Sequence, residues 1–368
     1  MASRFLTRAL VVAAALPRSI VRRRPRGAPR SVLIAHHPKM IGDTLLMTHI
    51  AAKARHAWPD ARVVMTASAA TQPLFASRPW GLETFAFDPA DASSLAPYRQ
   101  PGGYDLAIVP GDNRYGWFAR ALGARWVVGF SGDRPRYKDL LLDDARPYPD
   151  KPDVWHDMAA DLVPGSDPPP YEPSQWPAPT FREFDFPARP YAVIHLGASS
   201  LLKQWLPERW AAIAEWLESR GLQVVWSAGR GEEQLVAAVD PQARRRSYAG
   251  TLDLAQVWHL LARSELLVTP DTGLSHLARI TNTPCVTLFG PGTPQLMGSG
   301  RFFRNAPWKA VIVDPFPCRD QPLLYKRQVA WVRRCARTTR ECASPACLHA
   351  IEVRDVIGAI RELVPRLR

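Results

Sequence analysis

The chain has 368 residues, an apolar fraction of 46% and a formal net charge of +13. This length fits two domains of ordinary size, and the apolar fraction excludes extensive disorder. No stretch approaches the roughly 20 apolar residues that a membrane-spanning helix needs. We therefore expect a soluble or surface-attached protein built on more than one hydrophobic core.

Residues 1–30 form a basic and apolar N-terminal tail without a single acid, which carries more than half of the net charge. Its apolar run, Ala9–Leu16, ends at Pro17 and an arginine cluster instead of a small-residue cleavage site, which disfavours a signal peptide. A short amphipathic segment lying on an anionic membrane surface fits better, and a disordered tail is the alternative. The arginines of this tail are Arg4, Arg8, Arg18, Arg22, Arg23, Arg24, Arg26 and Arg30.

Residues 31–145 alternate between short apolar runs and helical patterns. Such an alternation predicts a parallel, doubly wound sheet. The predicted strands are Ser31–Ala35, Arg62–Thr66, Leu82–Phe87, Asp105–Val109 and Trp126–Phe130, and the predicted helices are Asp43–Ala57 and Tyr115–Leu122.

Residues 146–190 are rich in proline, which removes backbone donors and fixes φ, so we expect a linker with one short helix around Val154–Leu162. The βα alternation then restarts over residues 191–350, and a final helix, Val353–Val364, lies within residues 351–368. The predicted strands of this part are Tyr191–Leu196, Gln223–Ser227, Glu265–Thr269 and Cys285–Phe289, and the predicted helices are Pro207–Arg220, Leu254–Ala262 and Leu274–Ile280.

These patterns together predict an α/β fold with two Rossmann-like, doubly wound domains facing each other across a cleft. The N-terminal one covers residues 31–145 and the C-terminal one residues 191–350. In such domains ligands bind at the carboxyl ends of the strands.

The first candidate site is the turn between the first strand and the first helix, which contains Gly42 and Asp43. Aspartate is a preferred helix N-cap, but a carboxylate here can also take a proton from an acceptor hydroxyl. From the local context alone the cap is the better interpretation. His36, His37 and Lys39 add a basic rim to this turn.

The second candidate site is the loop Gly197–Ser200 after the strand at Tyr191. Its backbone amides and the hydroxyls of Ser199 and Ser200 can receive an anion, with Lys203 as the countercharge. The spacing of a Walker A loop is absent.

The third candidate site lies at the next strand-to-helix junction, which reads Asp271-Thr272-Gly273 and is followed by His276. The amides and the dipole of a helix N-terminus attract phosphate, and the small residues let a diphosphate approach the backbone. His276 lies one turn into the helix, where a core or capping role is common.

A further loop, Gly229-Arg230-Gly231-Glu232, begins like a dinucleotide fingerprint but lacks the third glycine, which makes a dehydrogenase a weak alternative. Glu232 can still accept two hydrogen bonds from a ribose.

In combination these stretches resemble glycosyltransferase family 9, the heptosyltransferases that build lipopolysaccharide core. The resemblance rests on Gly42-Asp43, on HLGASSLLKQWLPERW, and on DTGLSHL followed by TPCVTLFGP, and it extends over most of residues 31–360. It implies a GT-B fold and an inverting, metal-independent transfer of a heptose or a related sugar from a nucleotide-sugar, ADP-heptose in particular, to a glycan or phosphorylated glycolipid. It makes Asp43 the general base and raises that role above the cap.

The resemblance also implies the donor contacts and the cellular place of the protein. Acceptor contacts are expected from His36, His37 and Lys39. The resemblance implies no cofactor and no metal. It also implies that the enzyme works in the cytoplasm, at the inner membrane. The implied donor contacts are Ser199, Ser200, Lys203, Glu232, Asp271, Thr272, Gly273 and His276.

Three points stay open in the sequence. A non-catalytic protein that binds nucleotide-sugars or glycolipids is the alternative function, although Asp43 and Lys203 are both present. The basic run at residues 319–340 is either a solvated face or an anion-binding surface, and no aromatic-basic interleaving supports nucleic-acid binding. Cys318, Cys335, Cys342 and Cys347 are expected to be incidental thiols, with a structural metal or a disulfide as the alternative, and the oligomeric state is undetermined.

Overall fold

The computed structural model describes residues 2–20 and 24–367. Their contacts divide the chain into two compact units. The first holds the chain up to Pro170 with Ser174–Pro177 and Leu323–Trp331, and the second holds Tyr171–Pro173, Ala178–Pro322 and Val332 to the C-terminus. Arg22 and Arg23 of the predicted arginine cluster lie outside the described residues.

The first unit is built on a six-stranded parallel sheet with the strand order β3-β2-β1-β4-β5-β6. Leu33 at its centre pairs with Val64 on one side and Ala107 on the other. The reversal of direction between β1 and β4 is the topological switch point of a Rossmann-like sheet, where ligands bind. The strands are β1 Ser31–Ile34, β2 Arg62–Ala67, β3 Glu83–Ala86, β4 Leu106–Val109, β5 Trp126–Phe130 and β6 Asp144–Arg146.

Helices cover this sheet and enclose its apolar core. Its helices are α1 Ala2–Arg18, α2 Ile41–Leu46, α3 Thr48–Ala57, α4 Arg114–Ala121 and α5 Trp155–Ala160, with 3-10 turns at Gln72–Phe75, Pro79–Gly81, Ala92–Tyr98 and Arg136–Leu141. The single helix predicted over Asp43–Ala57 is instead two helices that meet at Met47. The Thr48 hydroxyl donates to the Leu45 carbonyl over 2.6 Å. This side-chain hydrogen bond competes with the backbone hydrogen bond that the carbonyl would accept in a continuous helix.

The N-terminal segment is helical and packs on the first unit. Ala15 of α1 is fully buried, and the Arg18 guanidinium donates to the Ala121 carbonyl of α4 over 2.7 Å. Phe5, Leu10 and Leu16 stay exposed on the outer side. The described part of this segment, Ala2–Arg18, is thus a helix with one buried and one exposed apolar side, and its binding to a membrane stays a prediction.

The second unit repeats the same sheet, with the strand order β12-β11-β10-β7-β8-β9 and all neighbours parallel. Val268 of β10 pairs with Ile194 and Val286, which places β10 and β7 at the switch point. The strands are β7 Tyr191–His195, β8 Gln223–Ser227, β9 Arg246–Ser247, β10 Leu266–Pro270, β11 Cys285–Phe289 and β12 Trp308–Ile312.

The helices of the second unit follow the predicted signals. Helix α6 begins with Pro207 at its first position and buries Trp210, Ile213 and Leu217. The last helix, α12, packs into the core of this unit through Val356 and Ile360. The helices are α6 Pro207–Ser219, α7 Glu233–Val239, α8 Leu254–Ala262, α9 Gly273–Ile280, α10 Pro294–Met297, α11 Ala346–His349 and α12 Val353–Leu363, with 3-10 turns at Leu201–Lys203 and Pro365–Leu367.

A two-stranded antiparallel hairpin, β13 Leu323–Leu324 and β14 Arg327–Gln328, belongs to the first unit although the chain on either side of it belongs to the second. Among the described residues, no helix combines the length and the apolar character that crossing a bilayer requires. Two Rossmann-like doubly wound sheets are thus confirmed.

Candidate active site

The carboxyl ends of four neighbouring strands carry the predicted donor loops of the second unit. Strands β7, β8, β10 and β11 end at His195, Ser227, Pro270 and Phe289. Because the four strands are parallel and adjacent, the loops that follow them lie along one edge of the sheet. Residues distant in the chain are thereby brought together, such as Ala198 and Glu232, which are 34 positions apart, and Lys203 and Asp271, which are 68 apart.

The centre of this edge is an ion pair between Lys203 and Asp271. The Lys203 ammonium donates to the Asp271 carboxylate over 2.9 Å and to the Asp271 backbone carbonyl over 2.6 Å. Asp271 is largely buried and Lys203 is partly exposed. An ammonium has three donors, so one remains for a ligand when both contacts to Asp271 are kept.

Helix α9 begins directly after Asp271. Thr272 is its N-cap, and its hydroxyl accepts from the Leu274 amide over 3.3 Å. A Cβ at Gly292 would lie 2.7 Å from the Asp271 carboxylate, so a side chain at this point of the loop after β11 would push that carboxylate out of position. His276 is buried one turn into the helix, in agreement with the core interpretation. The backbone amides at the N-terminus of α9 and the Lys203 ammonium allow this edge of the sheet to bind an anion.

Glu232 joins the loops that follow β7 and β8. Its carboxylate accepts from the Ala198 amide over 3.1 Å and from the Gly229 amide over 2.7 Å. A Cβ at Gly197 would overlap the same carboxylate. Glu232 therefore fixes the Gly197–Ser200 loop, where Ser199 is exposed and the Ser200 hydroxyl caps the turn at Leu201–Lys203. Its remaining lone pairs can accept from hydroxyl groups.

The sequence analysis missed His195, the last residue of β7. Its Nδ1 lies 3.0 Å from the Ser227 hydroxyl, and its Nε2 would lie 3.0 Å from a Cβ at Gly197. Burial lowers the pKa of His195 to about 4, so the ring is neutral at pH 7. A histidine that ends a buried strand just before a glycine-rich loop is the signal that could have identified it.

We expect acid to destabilise the protein through His195 and through His36, whose pKa burial also lowers to about 4. Unfolded histidine titrates near 6.5, so below that pH the unfolded state binds protons that the folded state does not. Stability is fully present above pH 6.5 and is lost as the pH falls towards 4. Each histidine accounts for a loss of about 2 kcal/mol at pH 5.

Denaturant unfolding at pH 7 and pH 5 measures this loss, and His195→Asn should make the dependence on pH shallower. An equal dependence in the wild type and in His195→Asn would contradict the assignment to this residue.

The first unit contributes Asp43, which lies in the first turn of α2 and not at its N-cap, since Met40 occupies the cap position. The turn predicted at Gly42 is likewise part of the helix. Asp43 is partly exposed, and its carboxylate accepts from the Tyr325 hydroxyl over 3.0 Å. A partly exposed carboxylate can accept a proton from a substrate hydroxyl, which is the chemistry of a general base.

Tyr325 is the second residue that the sequence analysis missed. It lies in the turn of the β13–β14 hairpin, its ring packs on Trp155 at 4.9 Å, and a Cβ at Gly111 would lie 3.3 Å from it. The hairpin is held by Arg327, whose buried guanidinium donates to the carbonyls of Ser131 and Phe130 over 3.0 Å each. Tyr325 and Asp43 are 282 positions apart in the chain, so no local pattern could have paired them.

The predicted basic rim holds only in part. His36 is buried, its amide donates to the Thr66 hydroxyl, and its ring is neutral at pH 7 because of burial. The expectation that His36 contacts an acceptor is therefore wrong. His37 and Lys39 are accessible, and burial of the half-buried His37 lowers its pKa as well.

His37 and Lys39 line a cavity of about 420 Å³ in the first unit. Its floor is mainly aromatic and aliphatic, whereas Arg8, Lys39 and Arg114 place positive charge at its lining. The lining residues are Thr7, Arg8, Val11, Val12, His37, Lys39, Phe87, Pro89, Arg114, Tyr115, Trp117, Phe118 and Tyr137. An apolar cavity with basic side chains suits an amphiphilic ligand that carries negative charge.

Comparison with known proteins identifies the family. Residues 100–313, more than half of the chain, match the family model of Glycosyltransferase family 9 (heptosyltransferase). This match includes the donor loops of the second unit and begins after Asp43, so the role of Asp43 depends on its own surroundings.

Two curated relatives show the extent of the sequence similarity. Lipopolysaccharide heptosyltransferase 2 of Escherichia coli is 36% identical over 98 residues, 25% of this chain and 28% of the relative, so the chain spans less than a third of that relative. Lipooligosaccharide heptosyltransferase 2 of Haemophilus influenzae is 26% identical over 294 residues, 70% of this chain and 83% of the relative.

The structure of E. coli ADP-heptose lps heptosyltransferase II matches 92% of this chain and 99% of its own, with a TM-score of 0.66 at 20% identity. This likeness shows a shared fold, and it confirms the predicted GT-B class.

Proposed function

The chain belongs to glycosyltransferase family 9, the heptosyltransferases, and we propose that it transfers a heptose or a related sugar from ADP-heptose to a glycan acceptor of the lipopolysaccharide core, with inversion at the anomeric carbon. The observation that carries this proposal is the Lys203–Asp271 pair at the start of α9, with Glu232 on the neighbouring loop.

The donor binds at the strand edge of the second unit. The free donor of the Lys203 ammonium and the first amides of α9 receive the diphosphate, and Thr272 and Gly273 leave room for it. Glu232 accepts from the ribose hydroxyls with the lone pairs that its two amide contacts leave free. Ser199 and Ser200 supply hydroxyls to the same anion. The choice of ADP is supported by the similarity to E. coli ADP-heptose lps heptosyltransferase II.

Asp43 acts as the general base. Its carboxylate takes the proton of the acceptor hydroxyl while that oxygen forms a bond to the anomeric carbon and the bond to the diphosphate breaks. The electron pair of the broken bond leaves with ADP, whose added charge is stabilised by Lys203 and the helix dipole without the need for a metal ion. Tyr325 orients the carboxylate through its hydrogen bond.

The acceptor is a phosphorylated glycolipid in this proposal, and it is bound by the cavity that contains His37 and Lys39. Arg8, Lys39 and Arg114 attract the phosphates, and the apolar floor receives hydrocarbon. The exposed apolar side chains and the arginines of α1 favour peripheral binding to an anionic inner-membrane surface that faces the cytoplasm.

Isothermal titration with ADP-heptose and with UDP-, GDP- and dTDP-sugars tests the choice of donor. We expect ADP-heptose to bind at least tenfold more tightly than the other sugar nucleotides. Tighter binding of a different nucleotide would overturn the ADP assignment. Binding to none of them, in a sample whose folded state is verified by circular dichroism, would favour the alternative of a glycolipid-binding protein without transferase activity.

A further inference from the structure

Three side chains with metal-binding chemistry meet in the core of the first unit, on two helices that pack together. His49 lies on α3, and His156 and Asp157 lie on α5. Their exposed fractions are 1%, 0% and 0%. The two imidazole rings meet edge to face with their centroids 5.6 Å apart.

The ligand atoms of these residues form a compact triangle. The Nδ1 atoms of His49 and His156 each lie 3.0 Å from the same oxygen, Oδ1 of Asp157, and 3.4 Å from each other. Zinc binds histidine nitrogen and carboxylate oxygen at about 2.0–2.2 Å, and in tetrahedral geometry ligand atoms around one ion then lie about 3.3–3.6 Å apart. The separations in the triangle are within a few tenths of an ångström of this range, so a small outward shift of the side chains brings the three atoms to ligand positions around one ion.

The charges around the triangle also favour a cation. A carboxylate in a fully buried position needs a compensating positive charge. One turn after His49, Lys53 of α3 donates to Asp161 at the end of α5 and to Asp167, over 2.8 Å and 2.9 Å. Lys53 is thus engaged with two carboxylates, and a bound cation would place positive charge directly beside the buried Asp157.

We propose that His49, His156 and Asp157 bind one divalent first-row transition-metal ion, with Zn²⁺ the best match to two imidazoles and a carboxylate. Neutral histidine and ionised aspartate are the forms that bind a metal ion. None of these three residues belongs to the donor loops, so the proposed site is separate from the residues to which the transfer reaction is assigned.

The ion would act as a cross-link between α3 and α5. Helix α3 follows α2, which carries Asp43, and Trp155 at the start of α5 packs on Tyr325, the hydrogen-bond partner of Asp43. A metal that fixes the two helices therefore also fixes the surroundings of Asp43. Its effect is on stability and position, because none of the three ligands contacts the proposed substrates.

Metal analysis of full-length protein without an affinity tag tests the site. We expect one equivalent of bound metal per chain by mass spectrometry, either as purified or after removal of metal and reconstitution with Zn²⁺. Co²⁺ in its place should give visible d–d absorption in the wild type. His49→Gln and Asp157→Asn should each lower the bound metal at least tenfold and remove the Co²⁺ absorption.

His56→Gln is the matched control, because His56 lies on the same helix, is exposed and is not one of the three proposed ligands; its Nε2 lies 3.2 Å from the Ser166 hydroxyl. It should bind metal like the wild type, and Zn²⁺ should raise the Tm of both. Failure of the wild type to bind Zn²⁺, Fe²⁺ or Co²⁺ at one equivalent would overturn the proposal and leave a hydrogen-bonded triad. Unchanged binding in both ligand variants would overturn it as well. The wild-type measurements decide the matter even where a variant does not fold.

Discussion

Replacing Asp43 by asparagine is expected to lower kcat for heptose transfer by a factor of about 10² to 10⁴, the range that a general base contributes. Asparagine has nearly the same shape and can still accept the hydrogen bond from the Tyr325 hydroxyl, but it cannot take the proton of the acceptor. The affinity for the nucleotide-sugar should stay within a factor of about two, because Asp43 is not among the residues proposed to bind the donor. Initial rates of ADP release at saturating substrate, together with donor titration, measure both quantities.

Two further variants separate the role of the carboxylate from general damage. Asp60→Asn changes an exposed aspartate of the same unit and should leave kcat unchanged. Tyr325→Phe keeps the ring against Trp155 and removes one hydrogen bond to Asp43, so we expect a loss of about tenfold. If Asp43→Asn kept more than a tenth of the wild-type kcat, another residue would have to be the base.

Replacing Lys203 by alanine is expected to lower kcat/KM by a factor of about 10² to 10³, comparable to the removal of one donor from an oxyanion site. The substitution removes the countercharge of the diphosphate and also leaves the largely buried Asp271 carboxylate without its ion-pair partner. The remaining negative charge then repels the donor. Steady-state kinetics with varied donor concentration, and titration of the donor, measure the loss.

A double-mutant cycle with Asp271→Asn isolates the contribution of the ion pair. The double variant should lose less than the product of the two single losses, because asparagine removes the charge that Lys203→Ala leaves behind. Lys309→Ala is the matched control. Lys309 lies on the edge strand β12 of the same unit and pairs with the exposed Glu362 of α12. Strictly multiplicative losses, or an equal loss in the control, would contradict the assignment of Lys203.

The strands and the donor loops could be predicted because their signals are local. Trp126–Phe130, Gln223–Ser227 and Cys285–Phe289 have the same bounds in the prediction and in the structure. In a parallel sheet each buried strand points the loop after it to the same edge, so Lys203 and Asp271 could be expected near each other although 68 residues separate them. The parallel topology thus allowed loops that were predicted one by one to be placed in a common site.

Weak local signals account for the elements that the sequence analysis missed. Helix α7 follows a loop rich in glycine and charge, and β9 follows a charged loop and has only two residues. Strand β12 lies on the sheet edge and is only partly buried, so its apolar pattern is incomplete. Short or half-exposed segments carry too few apolar positions to define a period.

Long-range packing accounts for the side chains whose roles were misjudged or missed. Tyr325 reaches Asp43, and His49 meets Asp157, only because distant segments fold together. In the basic run at residues 319–340, Arg319 and Arg327 are buried and donate to backbone carbonyls, so a solvated face is the wrong interpretation for these two. Charge in a sequence does not reveal whether a guanidinium meets water or a carbonyl.

The most direct test of the central claim is a transfer reaction with ADP-heptose and a lipopolysaccharide acceptor that lacks heptose, followed by mass spectrometry and NMR of the product. The account predicts addition of one heptose with release of one ADP, and an anomeric configuration opposite to that of the donor. Retention of configuration would contradict Asp43 as the base of a direct displacement. Absence of any transfer, from protein that binds ADP-heptose and is folded, would contradict the transferase itself.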